Sequence, residues 1–273
     1  MKKIKKYTSL VFIGIIFYFI SCLFLKNMDY SHYLFIDKED NTYKNIYNSF
    51  LNSDLYVKEV KEVTTINNNK NNEEEYIYYI YNTHQTEEYG EGLYAVKPTV
   101  MSLSYMIDSK LNELGKTGIV ENRNVPEEAK KIGGDYKYTY DVTWNFLNEV
   151  SNNNKSIKYF FDIHRDGVSK EISTTSINNK PYAKIMFLSG ERHENYQKNL
   201  ENISIMEEYL NKNYPGLLRN TYHQSKYSYN QEFSPFTFLI EVGGQYNTIE
   251  EVYNSSVALA EAINYLIEET YEK

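Results

Sequence analysis

From residue 76 onward, short unbroken apolar runs alternate with stretches of helical period, and no other feature constrains the fold as strongly. YIYYIY (76–81), GIV (118–120), IKYFFDI (157–163), AKIMFLS (183–189) and FTFLI (236–240) read as strands. Between and after them, VMSLSYMIDSKLNELG (100–115), YTYDVTWNFLNEV (138–150), the stretch 195–216 closing on Pro215 and Gly216, and 248–271 space their apolar residues as helices do. A strand with no polar alternation is buried on both faces. The expected fold class is therefore α/β, a mainly parallel sheet covered by helices. No internal repeat is evident.

The first 27 residues obey a different rule. TSLVFIGIIFYFISCLFL (8–25) is uncharged and apolar, and as a helix of 18 residues it would span about 27 Å, enough to cross a bilayer. Lysines precede it, no small-x-small cleavage site follows it, and Lys26 closes it. The expectation is one uncleaved transmembrane helix at the cell membrane, single-pass, with the remainder extracytoplasmic. Lipidation at Cys22, the only cysteine, is a minor alternative. Residues 28–72 are polar and rich in Asn, Lys and Asp, which reads as a tether, leaving 73–273 as the compact domain. Charge divides at the same place. Residues 1–27 hold five Lys and no acid, leaving 24 basic against 37 acidic residues, a balance of −13. Nucleic acid is a poor partner for such a surface, because its phosphates are bound by Lys and Arg.

Three of the strands run into chemistry. The first leads to His84, the third ends in DIHRD (162–166), and the last runs into Glu241 and then Gly243 and Gly244. DIHRD by itself is equally well a surface ion-pair cluster, worth about 0 to 1 kcal/mol per exposed pair. Convergence is what separates the readings, since ligands of open α/β sheets bind at the carboxyl ends of the strands. Two His and a carboxylate with one open position make the ligand set of a catalytic zinc, and a further Glu handles the proton of the attacking water. The sequence has no G-x-S-x-G, P-loop or G-x-G-x-x-G motif. His32 falls in the tether, and His193 and His223 fall in loop-like stretches expected at the surface.

YNTHQTEEY (81–89), FFDIHRD (160–166), SGERHENYQKNL (189–200), YPGLLR (214–219), YNQEFSPFTFLIEVGGQYNTIEE (229–251) and the closing S..LA.AI (256–263) together resemble the stage II sporulation protein P family, in the same order and with similar gaps. That family is in turn similar to zinc-dependent N-acetylmuramoyl-L-alanine amidases of phosphorylase/hydrolase-like α/β fold. The resemblance implies a membrane-anchored peptidoglycan hydrolase of spore engulfment that removes stem peptides and also cuts cross-links. It further implies Zn2+ as cofactor, and the stage II sporulation proteins D and M as partners.

Carried over residue by residue, the resemblance implies His84, Glu87 and His164 as metal ligands and Glu241 as the catalytic carboxylate. Glu121 and Glu127 remain alternative third ligands. Departures occur at Gly167, at ENRNVPEE (121–128) and at Thr143 and Trp144, where the family usually has other residues. Arg165 is the expected donor to the developing oxyanion. Asp162, two residues from His164 and so on the same strand face, is the expected acceptor behind its imidazole. A catalytically silent wall-binding scaffold and a zinc endopeptidase are the competing readings.

Overall fold

The structure, a computed structural model, describes residues 75–90, 97–134 and 136–271. The anchor and tether expected over residues 1–72 lie outside the described residues. Among the described residues no helix is long and apolar enough to cross a membrane.

In chain order the elements are β1 (Tyr78–Tyr81), α1 (Val100–Glu113), β2 (Gly118–Val120), α2 (Val125–Lys131), a 3-10 turn at Tyr136–Tyr138, α3 (Thr139–Asn153), β3 (Tyr159–Asp166) and the single turn α4 (Lys170–Ser173). There follow β4 (Thr174–Ile177), β5 (Lys180–Ala183), β6 (Ile185–Gly190), α5 (Tyr196–Asn213), β7 (Tyr222–Gln224), a 3-10 turn at Gln231–Phe233, β8 (Thr237–Gly244) and α6 (Ile249–Tyr271). One sheet runs in the order β2-β1-β3-β8-β6-β7, and β4 and β5 form a separate hairpin.

β2, β1, β3 and β8 are mutually parallel, as the unbroken apolar runs require. The expected mainly parallel sheet is found, with one antiparallel pairing: β6 lies antiparallel to β8 and carries β7 with it in its own direction. The cause lies in the connection. A parallel return needs a long crossover, usually a helix, and between β3 and β6 the chain has only the α4 turn and the hairpin. It therefore enters β6 from the edge at which β3 ended and runs back, pairing Ile185 with Val242 and Leu188 with Leu239.

The pleat sorts the side chains into two layers. Tyr78, Ile80, Tyr159, Phe161, Ile163, Phe187, Phe238 and Ile240 join the apolar faces of α1, α5 and α6 in the main core. Each large side chain so buried contributes about 1.5 to 3 kcal/mol. On the opposite face Tyr79, Tyr81 and Phe160 pack with Leu147 and Val150 of α3. α3 and the 3-10 turn of 231–233 pack on that face, and its rim at the carboxyl ends of β1, β3 and β8 is where the polar residues gather.

Candidate functional site

Register fixes which side chains meet. β1, β3 and β8 are neighbours, with Tyr81 beside Asp162 and His164 beside Glu241. In-register residues of parallel strands share a face, so Asp162, His164 and Glu241 all look toward α3. Beyond Glu241 the pairing slips, and Asp166 sits opposite Gly244. The slip is made by Gly243 at φ +68, where a Cβ would lie 2.7 Å from Asn247 Oδ1 and 2.9 Å from Ala183 Cβ. A bulge built on a left-handed glycine thus ends the strand just past the carboxylate.

His84 sits in the turn after β1, which the Glu87 N–H closes on the His84 carbonyl at 3.0 Å. The turn is pinned to β3: Asn82 Nδ2 donates to the Ile163 carbonyl at 2.7 Å, and Thr83 gives Asp162 both its N–H (2.9 Å) and its hydroxyl (2.6 Å). The two imidazoles meet edge to face at 5.2 Å between centroids. Tyr136 stacks on His84 at 4.2 Å, and Thr139 Oγ1 lies 3.4 Å from its Nδ1. Burial, reinforced by the charge of His164, lowers the His84 pKa to about 4, so the ring is neutral at pH 7.

His164 is 2% exposed and has a carboxylate on either side. Nε2 lies 2.9 Å from Asp162 Oδ1 and Nδ1 lies 3.5 Å from Glu87 Oε2. The Asp162 contact is an ion pair off the line of a hydrogen bond, which is why Nε2 has no aligned acceptor. Burial opposes the charged ring, but Asp162, Glu87 and Glu241 outweigh it and hold the His164 pKa well above the usual value. Glu87 Oε2 also accepts the Arg165 N–H at 3.0 Å.

The Oε2 atom of Glu241 is buried with no hydrogen-bond partner. Burial raises the pKa of this carboxyl to about 7; protonated His164 lowers it, and Glu87, Asp166 and Asp162 add to the rise. Asp166 is itself occupied, accepting from Arg219 Nη1 at 2.6 Å and from the Gly167 N–H.

Not every expected residue joins the cluster in the same way. The Arg165 guanidinium is engaged with backbone, Nε donating to the Glu88 carbonyl at 2.8 Å and Nη1 to that of Asp166 at 3.3 Å, so its clear contribution is the backbone N–H on Glu87. Both Glu121 oxygens are taken, Oε1 and Oε2 by the Arg123 guanidinium and Oε2 also by the Tyr79 hydroxyl. Glu127 is exposed in the first turn of α2. His223 is exposed and sits 2.6 Å from Glu191. His193 lies partly exposed in the loop before α5, with its ring nitrogens shielded from solvent, and burial lowers its pKa. Residues that sequence reasoning passed over are Thr83, Tyr136, Tyr140 and Asn230, while Thr143 was noted only as a departure from the family pattern. Thr83 Oγ1 lies 3.1 Å from Thr143 Oγ1, to which Asn230 Nδ2 donates at 3.2 Å. Adjacency to His84 was a usable signal for Thr83, whereas the others meet the site only through the fold.

The donor set suits zinc in kind. A neutral imidazole, a second imidazole whose far nitrogen already faces a carboxylate, and Glu87 beside its near nitrogen match the ligand types and the outer-shell arrangement of such sites. Among the described residues no group of three His, Cys, Asp or Glu is drawn close enough to form a finished cage.

Comparison with known proteins adds the ancestry. Stage II sporulation protein P from Bacillus subtilis (strain 168) is 27% identical over 195 residues, a match covering 67% of this chain and 49% of that protein, so the chain spans about half the length of this curated relative. Among solved structures, the CwlD amidase from Clostridioides difficile in complex with the GerS lipoprotein superposes with a TM-score of 0.48 at 16% identity, covering 72% of this chain and 98% of the other. N-acetylmuramoyl-L-alanine amidase AmiC2 of Nostoc punctiforme does so with 0.43 at 11% identity, with the same coverages. The family model described as Stage II sporulation protein P (SpoIIP) matches residues 26–264, a span that contains every site residue named above, and the chain belongs to that family.

Proposed function

We propose that this chain is a zinc-dependent N-acetylmuramoyl-L-alanine amidase that acts on peptidoglycan during sporulation, held at the cell membrane by residues 8–25 with its catalytic domain outside. The observation that carries the reading is the buried, unpartnered Glu241 oxygen facing a two-histidine, one-carboxylate donor set at one sheet edge. Membership of the sporulation family supports the biological setting. Cleavage of peptide cross-links at the same site and association with the stage II sporulation proteins D and M belong to the same proposal.

His84, His164 and Glu87 would hold the metal. Bound there, zinc would supply a Lewis acid and bring the pKa of water to about 7. Glu241 takes a proton from the water that attacks the lactyl carbonyl. Its Oε2 has no other hydrogen-bond partner, and the same group can return the proton to the departing L-alanine nitrogen. Asp162, fixed by Thr83, keeps the His164 ring in place. The Arg165 N–H keeps Glu87 turned toward His164.

Digestion of purified peptidoglycan by the full chain, with and without a chelator, tests the proposal. Glycan strands with free lactyl ends and released peptides beginning at L-alanine, seen by mass and lost on chelation, are expected. Peptide fragments without free lactyl ends would indicate an endopeptidase, and an unchanged wall would indicate a scaffold.

A further inference from the structure

An aromatic row leads away from the carboxylate and imidazole cluster. Tyr136 stacks on His84, Tyr140 meets the same imidazole edge-on at 5.5 Å, Tyr229 lies 5.6 Å from Tyr140, and Tyr227 lies 5.7 Å from Tyr229. Both ends are open, with Tyr136 63% and Tyr227 56% exposed. Neither end ring contributes much to the core, so packing alone does not explain the row.

Its middle is built at a cost to the backbone. Tyr229 and Asn230 adopt φ 55 and φ 60, a region that residues with a Cβ rarely enter. A bulky aromatic such as Tyr229 stays there only where its surroundings fix it. Asn230 Nδ2 donates to the Tyr140 carbonyl at 2.9 Å and to Thr143 Oγ1, tying the loop to the helix that carries Tyr140. The loop also presses on Gly190, where a Cβ would lie 2.5 Å from the Ser228 carbonyl oxygen and 2.9 Å from the Tyr229 ring. These contacts fix the Tyr229 ring against Tyr140. The row begins at the proposed chemistry, since both Tyr136 and Tyr140 contact the His84 imidazole.

We propose that Tyr136, Tyr140, Tyr229 and Tyr227 form a platform for the glycan strand of the substrate, with pyranose faces lying on phenol rings and sugar hydroxyls meeting the tyrosine hydroxyls. The proposal rests on the amidase reading, because a muramoyl amide brings a sugar within one lactyl group of the reacting carbon. Uncharged rings with polar edges match a neutral sugar, which shows an apolar face and a rim of hydroxyls. A stem peptide carries carboxylates, and the row starts beside Glu87, Asp162 and Glu241 in a domain whose own balance is strongly acidic.

The test measures binding, so it does not depend on turnover. Affinity of the full chain for glycan strands stripped of their peptides, and separately for free stem peptide, is measured for wild type, Tyr227→Ala and Tyr227→Trp. Tyr227 is exposed, so neither change endangers the fold. Tyr227→Ala should weaken glycan binding by about 3- to 10-fold, the loss of one aromatic contact, while Tyr227→Trp restores it and peptide affinity stays constant. No measurable glycan binding by wild type, an unaffected Tyr227→Ala, or a loss confined to the stem peptide would overturn the platform. Stripped glycan holds no scissile amide, so binding without any wall hydrolysis would uphold the platform and sink the amidase reading instead.

Discussion

Asp162 faces Nε2 of His164 at 2.9 Å while accepting two hydrogen bonds from Thr83, so one carboxylate holds both the imidazole of β3 and the turn that carries His84. Asp162→Asn keeps the size and removes the charge, and its amide nitrogen would confront either the Thr83 donors or the ring. The lost charge-assisted bonds predict a destabilisation of about 1 to 3 kcal/mol by denaturant unfolding. Zinc affinity should fall roughly 10- to 100-fold, as when an outer-shell partner is removed. Wild-type affinity in a competition titration would show that Asp162 supports the fold alone.

The proposed third ligand can be tested between two of its candidate carboxylates. Glu87 Oε2 lies 3.5 Å from His164 Nδ1, whereas both oxygens of Glu121 are engaged by Arg123 and Tyr79. Glu87→Gln should therefore lower the zinc retained per protein after dialysis, because a neutral amide is a weak replacement for an anionic ligand. Glu121→Gln should retain wild-type zinc and lose stability. The opposite pattern in metal analysis would move the ligand to Glu121.

Gly243 positions Glu241, the proposed catalytic carboxylate, from two residues away. At φ +68, with Asn247 and Ala183 closing on the place of a Cβ, Gly243→Ala should cost about 1 to 3 kcal/mol and disturb the bulge that follows Glu241. Gly167→Ala is the matched control, since a Cβ there meets nothing within 4 Å. Equal thermal stability of the two variants would remove the bulge from the argument.

The apolar runs at residues 157–163 and 236–240 announced β3 and β8 because a strand covered on both faces leaves no polar positions to confuse the pattern. The three strand ends were legible for the same reason, since a His or Glu closing such a run has no core role to explain it. The β4 and β5 hairpin was not legible. It is short and mostly polar, and its turn depends on Asn178 and Asn179 at φ 51 and 64, conformations that Asn tolerates without advertising. β7 is three residues long and largely exposed, so it has no hydrophobic signature at all. The buried nitrogens of His193 and the row through Tyr140 and Tyr229 arise from contacts between residues far apart in the chain, which a local pattern does not encode.

Glu241 yields two measurements with opposite dependence on its charge. In the metal-free protein its folded pKa of about 7 stands above the ordinary 4.5, chiefly because of burial. The folded state therefore holds a proton that the unfolded state has already released between those values, and the contribution of this group to stability falls as pH rises from about 4.5 to 7. The full effect is on the order of 3 kcal/mol at 1.36 kcal/mol per pKa unit. Glu241→Gln stays neutral throughout. It should be more stable than wild type at pH 8 and close to it at pH 4, as read from denaturant midpoints at the two pH values. Turnover should move the other way: with the proton acceptor gone, wall hydrolysis should drop roughly 10²-fold or more while zinc content stays near wild type. A variant that loses zinc along with activity would make Glu241 a ligand. One that keeps full activity would leave the attacking water to another base.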